Sequence, residues 1–336
     1  MKAIVLPAYK QGFKVQEVQK PKPSKDEVLV KVRYGGLCYR DLLQIEGFYP
    51  RSKYPLILGH EMVGEIEEIG DSVEGFRVGE RVTSLLYVPD YSCRFCKMGE
   101  EVYCNSRILY AQDLDGFFAE YAIVKANSII RIPDGVSYEG SIIVPCVVGM
   151  IYRGLRRARI EKDFIVLVTG SGGGVGIHSV QVAKALGAKV IGVTSSPDKA
   201  EVIKKYADHV IIGSKFSDEV RKLVGEVDVV LDNVGPFTIE ESLKVLRVGG
   251  KLVQIGNLDP SQSISLRLGY IILKNIEIIG HAGATRRDIE EGFRLVKEGK
   301  VIPIISHRIP INEFNKALSI LKSKSNLGKV VITTGE

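Results

Sequence analysis

The chain has 336 residues, 45% hydrophobic and 26% charged, with a net charge of +6; the balance excludes a disordered chain, and the length predicts two domains rather than one core. No apolar run reaches the ~18 residues of a membrane span, and the start Met1-Lys2-Ala3-Ile4-Val5-Leu6 lacks the apolar stretch and cleavage site of a signal peptide, so a cytoplasmic protein is expected. The positive charge is spread out and comes with no nucleic-acid recognition motif, while the absence of Trp and the abundance of Lys, Glu, Ile and Val suit a thermophilic source.

Residues 1 to about 135 alternate short apolar runs with turn residues. Glu27–Val32, Gly64–Gly70 and Phe118–Val124 have the period-two pattern of strands, so an antiparallel β domain is expected. The texture changes near residue 140. Phe164–Val168 is a continuous apolar run, as a strand covered on both faces requires. A glycine-rich turn follows, then helical spacing from Ile177 to Leu186, a strand at Lys189–Val193, a helix at Asp198–Tyr206 and a strand at His209–Ile212. Val227–Leu231, Lys251–Ile255 and Ile276–Ile279 continue the alternation, which predicts an α/β domain with a doubly wound parallel sheet. From about residue 283 the pattern is again mixed. The tightest basic cluster, Arg153, Arg156, Arg157 and Arg159, reads as a solvated helix face, with an anion-attracting patch as the alternative.

The turn after Phe164–Val168 reads Thr169-Gly170-Ser171-Gly172-Gly173-Gly174-Val175-Gly176. It fits G-x-x-G-x-x-G at Gly170, Gly173 and Gly176 rather than a strict G-x-G-x-x-G. Glycines there let backbone amides, including those of Gly174 and Val175, approach a pyrophosphate at the start of the following helix. NAD sites place a carboxylate at the tip of the second strand to bind the ribose 2′-hydroxyl. Here the tip is Thr194-Ser195-Ser196-Pro197-Asp198-Lys199. Small hydroxyls followed by Lys199 suit a 2′-phosphate, so NADPH is expected over NADH; a tighter turn would let Asp198 serve NAD instead.

Five cysteines, an odd number, argue against a disulfide framework. Asp90, Cys93, Cys96 and Cys104 have the spacing D-x2-C-x2-C-x7-C, which suits a closed tetrahedral zinc site. Such a site is worth on the order of 10 kcal/mol, enough to order a lobe with no core of its own. Three reduced thiols on a loop is the plain alternative. Cys38, His60 and Cys146 are dispersed, and each alone would pass for a core residue. Together they make a three-ligand zinc site with an open fourth position, the catalytic kind, with Asp41 as the carboxylate that orients the imidazole.

Gly59-His60-Glu61-x-x-Gly64-x5-Gly70-x-x-Val73 resembles the zinc signature of the alcohol dehydrogenases. With Gly79-Glu80-Arg81-Val82, the four-ligand lobe and Pro145-Cys146-x-x-Gly149 following in order, the chain is identified as a member of the zinc-containing medium-chain dehydrogenase/reductase family. The resemblance covers essentially the whole chain. It implies a GroES-like β-rich catalytic domain, residues 1–148 and 283–336 with the zinc lobe near 90–104, and a Rossmann domain over 149–282. It also implies Cys38, His60 and Cys146 as catalytic zinc ligands, Glu61 beside the metal and able to join ligand exchange, Lys329 as the basic residue near the pyrophosphate, and a homodimer or homotetramer. Asp90 departs from the family's usual four cysteines, a substitution that some archaeal members share.

A second departure bears on the reaction. Two residues after the first zinc ligand, alcohol dehydrogenases carry a Ser or Thr that relays the alcohol proton. This chain has Arg40, which keeps its proton. Cys38-Tyr39-Arg40-Asp41-Leu42-Leu43 is similar instead to the corresponding segment of the family's enoyl and quinone reductases, with Cys in place of Asn. Cys38–Gln44, Asp115–Glu120, Val144–Gly154 and Leu268–Lys274 are similar to an archaeal branch of the family that reduces acryloyl-CoA.

The expected reaction is therefore zinc-assisted, NADPH-dependent reduction of the C=C of a 2-enoyl-CoA such as acryloyl-CoA. Hydride would go to the β-carbon and a proton to the α-carbon, with Tyr39 as candidate acid. For Tyr39 the plain alternative is a packing aromatic. Arg40 would hold a substrate phosphate or carboxylate, or form a structural ion pair. The basic run at 153–159 could meet the phosphates of CoA. His178 and His209 read as structural, and no role is assigned to His281 at the end of its strand. Two other readings stand: an NAD(P)-dependent zinc alcohol dehydrogenase of small alcohols and aldehydes, and a non-catalytic nicotinamide-binding redox sensor. Neither nucleic acid nor a membrane is expected as a partner.

Overall fold

The computed structural model describes residues 1–335, which divide into two compact units. The first comprises residues 1–149, 283–297 and 305–335; the second comprises 150–282 and 298–304. The short stretch 298–304 packs with the second unit, where Gln181 clamps Ile302: its Nε2 donates to Ile302 O at 3.1 Å and its Oε1 accepts from Ile302 N at 2.7 Å. No helix among the described residues is long and apolar enough to cross a membrane.

In the first unit a seven-stranded sheet runs in the order Ile129–Arg131, Arg81–Ser84, Met62–Ile69, Glu27–Leu37, Lys329–Thr333 and Ile305–Pro310, with Tyr121–Lys125 also pairing on Glu27–Leu37. It is antiparallel except for one parallel pair, Ile305–Pro310 with Lys329–Thr333, contributed by the end of the chain. The expected strand Phe118–Val124 is corrected to Tyr121–Lys125. Phe117 N and Phe118 N instead donate to Gly59 O and Leu58 O, both at 2.8 Å, which draws the preceding residues onto the 57–59 segment. The apolar face of this sheet packs around Leu6, Leu37, Phe118, Phe314 and Ile332.

The second unit is a six-stranded, all-parallel sheet in the order His209–Ile212, Lys189–Thr194, Ile165–Val168, Val227–Asp232, Leu246–Gln254, Glu277–Gly280. In chain order this is 3-2-1-4-5-6, the two-halved dinucleotide-binding arrangement, whose switch point lies between Ile165–Val168 and Val227–Asp232. Both faces are covered, so these strands are unbroken apolar runs: Val166, Leu167, Val168, Val229, Val230 and Leu231 are all fully buried.

The reading of Arg153–Arg159 as one solvated face is corrected. Helix Gly149–Arg157 keeps Arg156 exposed, and Arg159 beyond its end is exposed too, but Arg153 is only 1% exposed and Arg157 is half-buried. Both reach His281: Arg157 Nη1 lies 3.2 Å and Arg153 Nη1 3.5 Å from His281 Nδ1, while His281 Nε2 donates to Met150 O at 2.7 Å. Arginine in a helical pattern usually marks the wet side, and the sequence carries no sign that a neutral imidazole waits beneath.

Candidate active site

Four side chains of the first unit converge. Cys38 is the N-cap of helix Tyr39–Ile45, His60 and Glu61 precede strand Met62–Ile69, and Cys146 stands in a single π-helical turn, Val144–Val148. Such turns reset the side-chain direction within a helix and are common at functional sites. One ligand atom from each of Cys38, His60, Glu61 and Cys146 lies within 4.8 Å of the others.

The imidazole is held for one purpose. Its Nδ1 faces Asp41 Oδ1 at 2.9 Å, and the other oxygen of Asp41 accepts from Cys38 N at 2.9 Å. One carboxylate thus fixes a ligand side chain and the backbone of a second ligand. Nε2 is left facing Cys146 Sγ at 3.5 Å and Glu61 Oε1 at 3.6 Å. Burial alone would lower the pKa of His60, but the Asp41 carboxylate outweighs it and raises the value to about 9. Hydrogen bonding with Cys146, helped by His60, holds the Cys38 thiol well below its usual range, and the same bond pushes Cys146 well up. Two sulfurs, an imidazole and a carboxylate form a donor set that suits zinc. Glu61 Oε2 is buried and has no hydrogen-bond partner among the described residues.

Glu61 is held by two features. Lys329 Nζ donates to its Oε1 at 2.6 Å, and Gly36 leaves room for its Oε2, which a Cβ at that position would meet at 2.3 Å. Burial raises the Glu61 pKa and Lys329 partly offsets it, while Glu61 and the two thiols raise that of Lys329. Lys329, expected near a pyrophosphate, is thus buried against Glu61.

Arg40 faces the same neighbourhood. Its Nη2 is 3.4 Å from Tyr110 O and its guanidinium carbon 5.5 Å from the centre of the Tyr49 ring. Tyr39, the phenol singled out in the sequence, begins the helix and is half-buried. Tyr49 is a second phenol at this site: burial raises its pKa, Arg40 opposes that, and the charges of Cys38, Asp41 and Cys146 all reach it. Its loop is pinned by Gln44, whose buried amide donates to Ser52 Oγ at 3.1 Å and to Ala111 O. An aromatic residue on a turn eleven positions after a cysteine has no local signature, so only the fold reveals it.

The lobe at 90–104 gathers Asp90, Cys93, Cys96 and Cys104, with ligand atoms again within 4.8 Å. Cys93 Sγ and Cys96 Sγ are 3.6 Å apart, and Asp90 Oδ1 lies 3.5 Å from Cys96 Sγ. Asp90 Oδ1 also accepts from Cys93 N and Ser92 N, which hold its carboxyl far below the usual range. The lobe consists of a four-residue helix, Arg94–Lys97, and a 3-10 turn, Glu101–Tyr103; Met98 and Tyr103 are exposed, so it has almost no apolar core.

In the second unit the glycine turn links strand Ile165–Val168 to helix Gly176–Ala185. Gly170 has φ +59°, and Gly176 must lack a Cβ because one would sit 2.1 Å from Gly170 O. Gly173 N donates to Gly170 O, and Gly174 O accepts from His178 Nδ1 at 2.7 Å. His178 Nε2 accepts from Ile304 N, so this histidine props the turn. Lys199 lays its stem over Gly172, and burial lowers its pKa. Thr194 Oγ1 accepts from Ser196 N and Ser196 Oγ caps Lys199 N, while Ser195 is exposed. Asp198 lies in the first turn of helix Pro197–Ile203. Asp232, which nothing local in the sequence singles out, is buried at the switch point and accepts from Thr169, Thr238, Ser242 and the backbone of Val234 and Gly235, which ties the two strand ends together.

Residues 24–134 match the alcohol dehydrogenase GroES-like domain, and residues 174–298 match the zinc-binding dehydrogenase domain. The chain belongs to the medium-chain dehydrogenase/reductase family. It is thus an oxidoreductase with a GroES-like and a Rossmann-like domain, a family that uses zinc and a nicotinamide cofactor on small-molecule substrates. It is 57% identical to the acryloyl-coenzyme A reductase of Metallosphaera sedula, over 99% of this chain and 100% of that one. It is 56% identical to the acryloyl-coenzyme A reductase of Sulfurisphaera tokodaii, over 99% of both. Among solved structures it is similar to AibC, with a TM-score of 0.92, 33% identity, and coverage of 100% of this chain and 96% of that one.

Proposed function

We propose that this dehydrogenase reduces the C=C bond of a 2-enoyl-CoA thioester such as acryloyl-CoA, with NADPH as the preferred reductant. The observation that carries this reading is Arg40, two residues after Cys38 and beside the Tyr49 ring and Tyr110 O, at the position where a proton-relaying hydroxyl would be needed to oxidise an alcohol. The identity to acryloyl-CoA reductases over the full length supports it.

Cys38, His60 and Cys146 would hold the catalytic zinc with Glu61 as the exchangeable fourth donor, and Asp90, Cys93, Cys96 and Cys104 the structural one. When bound, zinc supplies polarisation of the thioester carbonyl and the nicotinamide supplies hydride for the β-carbon. Asp41 keeps His60 Nε2 aimed at the ligand set, and Lys329 keeps Glu61 within reach of it. For the α-carbon proton we favour Tyr49 over Tyr39. Burial keeps the Tyr49 phenol protonated, and Arg40 beside its ring stabilises the phenolate that donation leaves.

Lys199 over the glycine turn, with Thr194, Ser195 and Ser196 at the strand tip, supports a 2′-phosphate. Ile264, Leu268, Ile272, Leu273 and Ile278 are exposed on and beside the edge strand Glu277–Gly280, an apolar surface that supports association with a second copy of the chain.

The test is NADPH oxidation by purified enzyme with acryloyl-CoA, compared with short aldehydes at equal enzyme. Faster turnover of the thioester is expected, and no oxidation with it overturns the proposal.

A further inference from the structure

Two side-chain amides stand at the carboxyl ends of adjacent strands in the second unit. Asn233 follows strand Val227–Asp232, and Gln254 closes strand Leu246–Gln254. Asp232 and Gln254 are register partners, so the amides come from neighbouring strands at one level of the sheet. Gly256 brings the backbones closer still, since a Cβ there would lie 2.0 Å from Asn233 O.

The orientation of each amide is forced. Asn233 Nδ2 donates to Thr169 O at 3.0 Å. Gln254 Nε2 donates to Gly256 O at 2.7 Å and lies 3.4 Å from Asp232 O. A carbonyl acceptor needs a donor opposite it, so the NH2 groups must face these backbone oxygens. Asn233 Oδ1 and Gln254 Oε1 are thereby turned the other way; both are buried, and neither has a hydrogen-bond partner among the described residues. Buried acceptors left without a donor are costly, and one at the end of each of two adjacent strands points to a ligand that supplies donors.

The sheet tells which part of the ligand. The glycine turn, Thr194 and Lys199 belong to the half on one side of the switch point, which takes the adenosine end of a dinucleotide. Asn233 and Gln254 belong to the other half. We infer that Asn233 Oδ1 and Gln254 Oε1 accept hydrogen bonds from the nicotinamide end of the cofactor, from its ribose hydroxyls and carboxamide amino group. This rests on the nicotinamide-cofactor reading and not on the identity of the substrate.

The test is calorimetric titration of the full-length protein with the tighter of NADPH and NADH, and with its adenosine half alone, 2′,5′-ADP or ADP. Gln254→Met, matched in length, and Asn233→Ala are made separately, so failure of one to fold leaves the other. Each is expected to weaken dinucleotide binding about tenfold, one lost hydrogen bond to a buried acceptor, and to leave the adenosine half within about twofold. Each oxygen stands or falls by its own variant: an unchanged dinucleotide Kd, or equal loss for both ligands, removes it. A wild-type protein that binds neither nucleotide would sink the cofactor reading and this inference with it.

Discussion

Lys329 Nζ donates to Glu61 Oε1 across 268 positions of the chain, and both side chains are buried. A buried carboxylate deprived of its cation is expensive, whereas an uncharged pair of similar shape is not. Lys329→Met is therefore expected to lower stability by about 3 kcal/mol, with most of it restored in Lys329→Met/Glu61→Gln. Chemical denaturation of the single and double variants checks this; equal loss in both would mean that the pair does not act as a unit.

Arg40 is the residue on which the choice of reaction turns. Arg40→Thr restores the hydroxyl that an alcohol's proton would need and removes the cation beside Tyr49. Enoyl-CoA reduction is expected to fall by at least about tenfold in kcat/KM, and oxidation of short alcohols to appear. Steady-state kinetics with both substrate classes provides the measurement, and unchanged preference would remove Arg40 from the account.

Lys199 is expected to distinguish the two nicotinamide cofactors. A charge-assisted hydrogen bond to a 2′-phosphate is worth about 1.5–3 kcal/mol, so Lys199→Ala should raise the Kd of NADPH by roughly tenfold or more and leave NADH nearly unchanged. Fluorescence titration with each cofactor checks it, and parallel loss of both would mean that Lys199 only supports the glycine turn.

His281 should make the protein sensitive to acid. Burial, with Arg153 and Arg157 adding their charges, lowers its pKa to about 4, against about 6.5 in an unfolded chain. Above the unfolded value both states hold a neutral ring and stability is intact. As pH falls from about 6.5 through 4 the unfolded state takes up the proton first, and stability drops by a few kcal/mol in total. His281→Gln, which can still donate to Met150 O, is expected to flatten that part of the stability profile. Denaturation midpoints between neutral pH and pH 4 would reveal it, and an identical slope in the variant would contradict it.

Much of this was legible in the sequence because its signals are local. A continuous apolar run, a glycine turn and a helix follow one another at 164–186, and the thiols at 93 and 96 are two residues apart. Cys38, His60 and Cys146 could be grouped by residue type, although no spacing brings them together. The rest depends on partners remote in the chain. The contact of Lys329 with Glu61 is one of these, since nothing near Lys329 in the sequence announces it. Tyr49 is an ordinary loop aromatic until Arg40 is seen beside it. The burial of Arg153 has no local sign in the sequence, because it depends on His281, which arrives 128 positions later. Asn233 and Gln254 become acceptors only after the backbone oxygens that hold their amino groups are located.

Side chains from three distant segments would hold one ion. Elemental analysis of zinc per chain tests it most directly, on the wild type and on Cys38→Ser, His60→Ala, Cys146→Ser and Cys96→Ser. Two zinc ions per chain are expected, one for each ligand cluster, falling to one in every variant, with the largest drop in melting temperature for Cys96→Ser because its lobe has almost no apolar core to fall back on. A wild type carrying a single zinc that survives the loss of Cys38, His60 and Cys146 would contradict it.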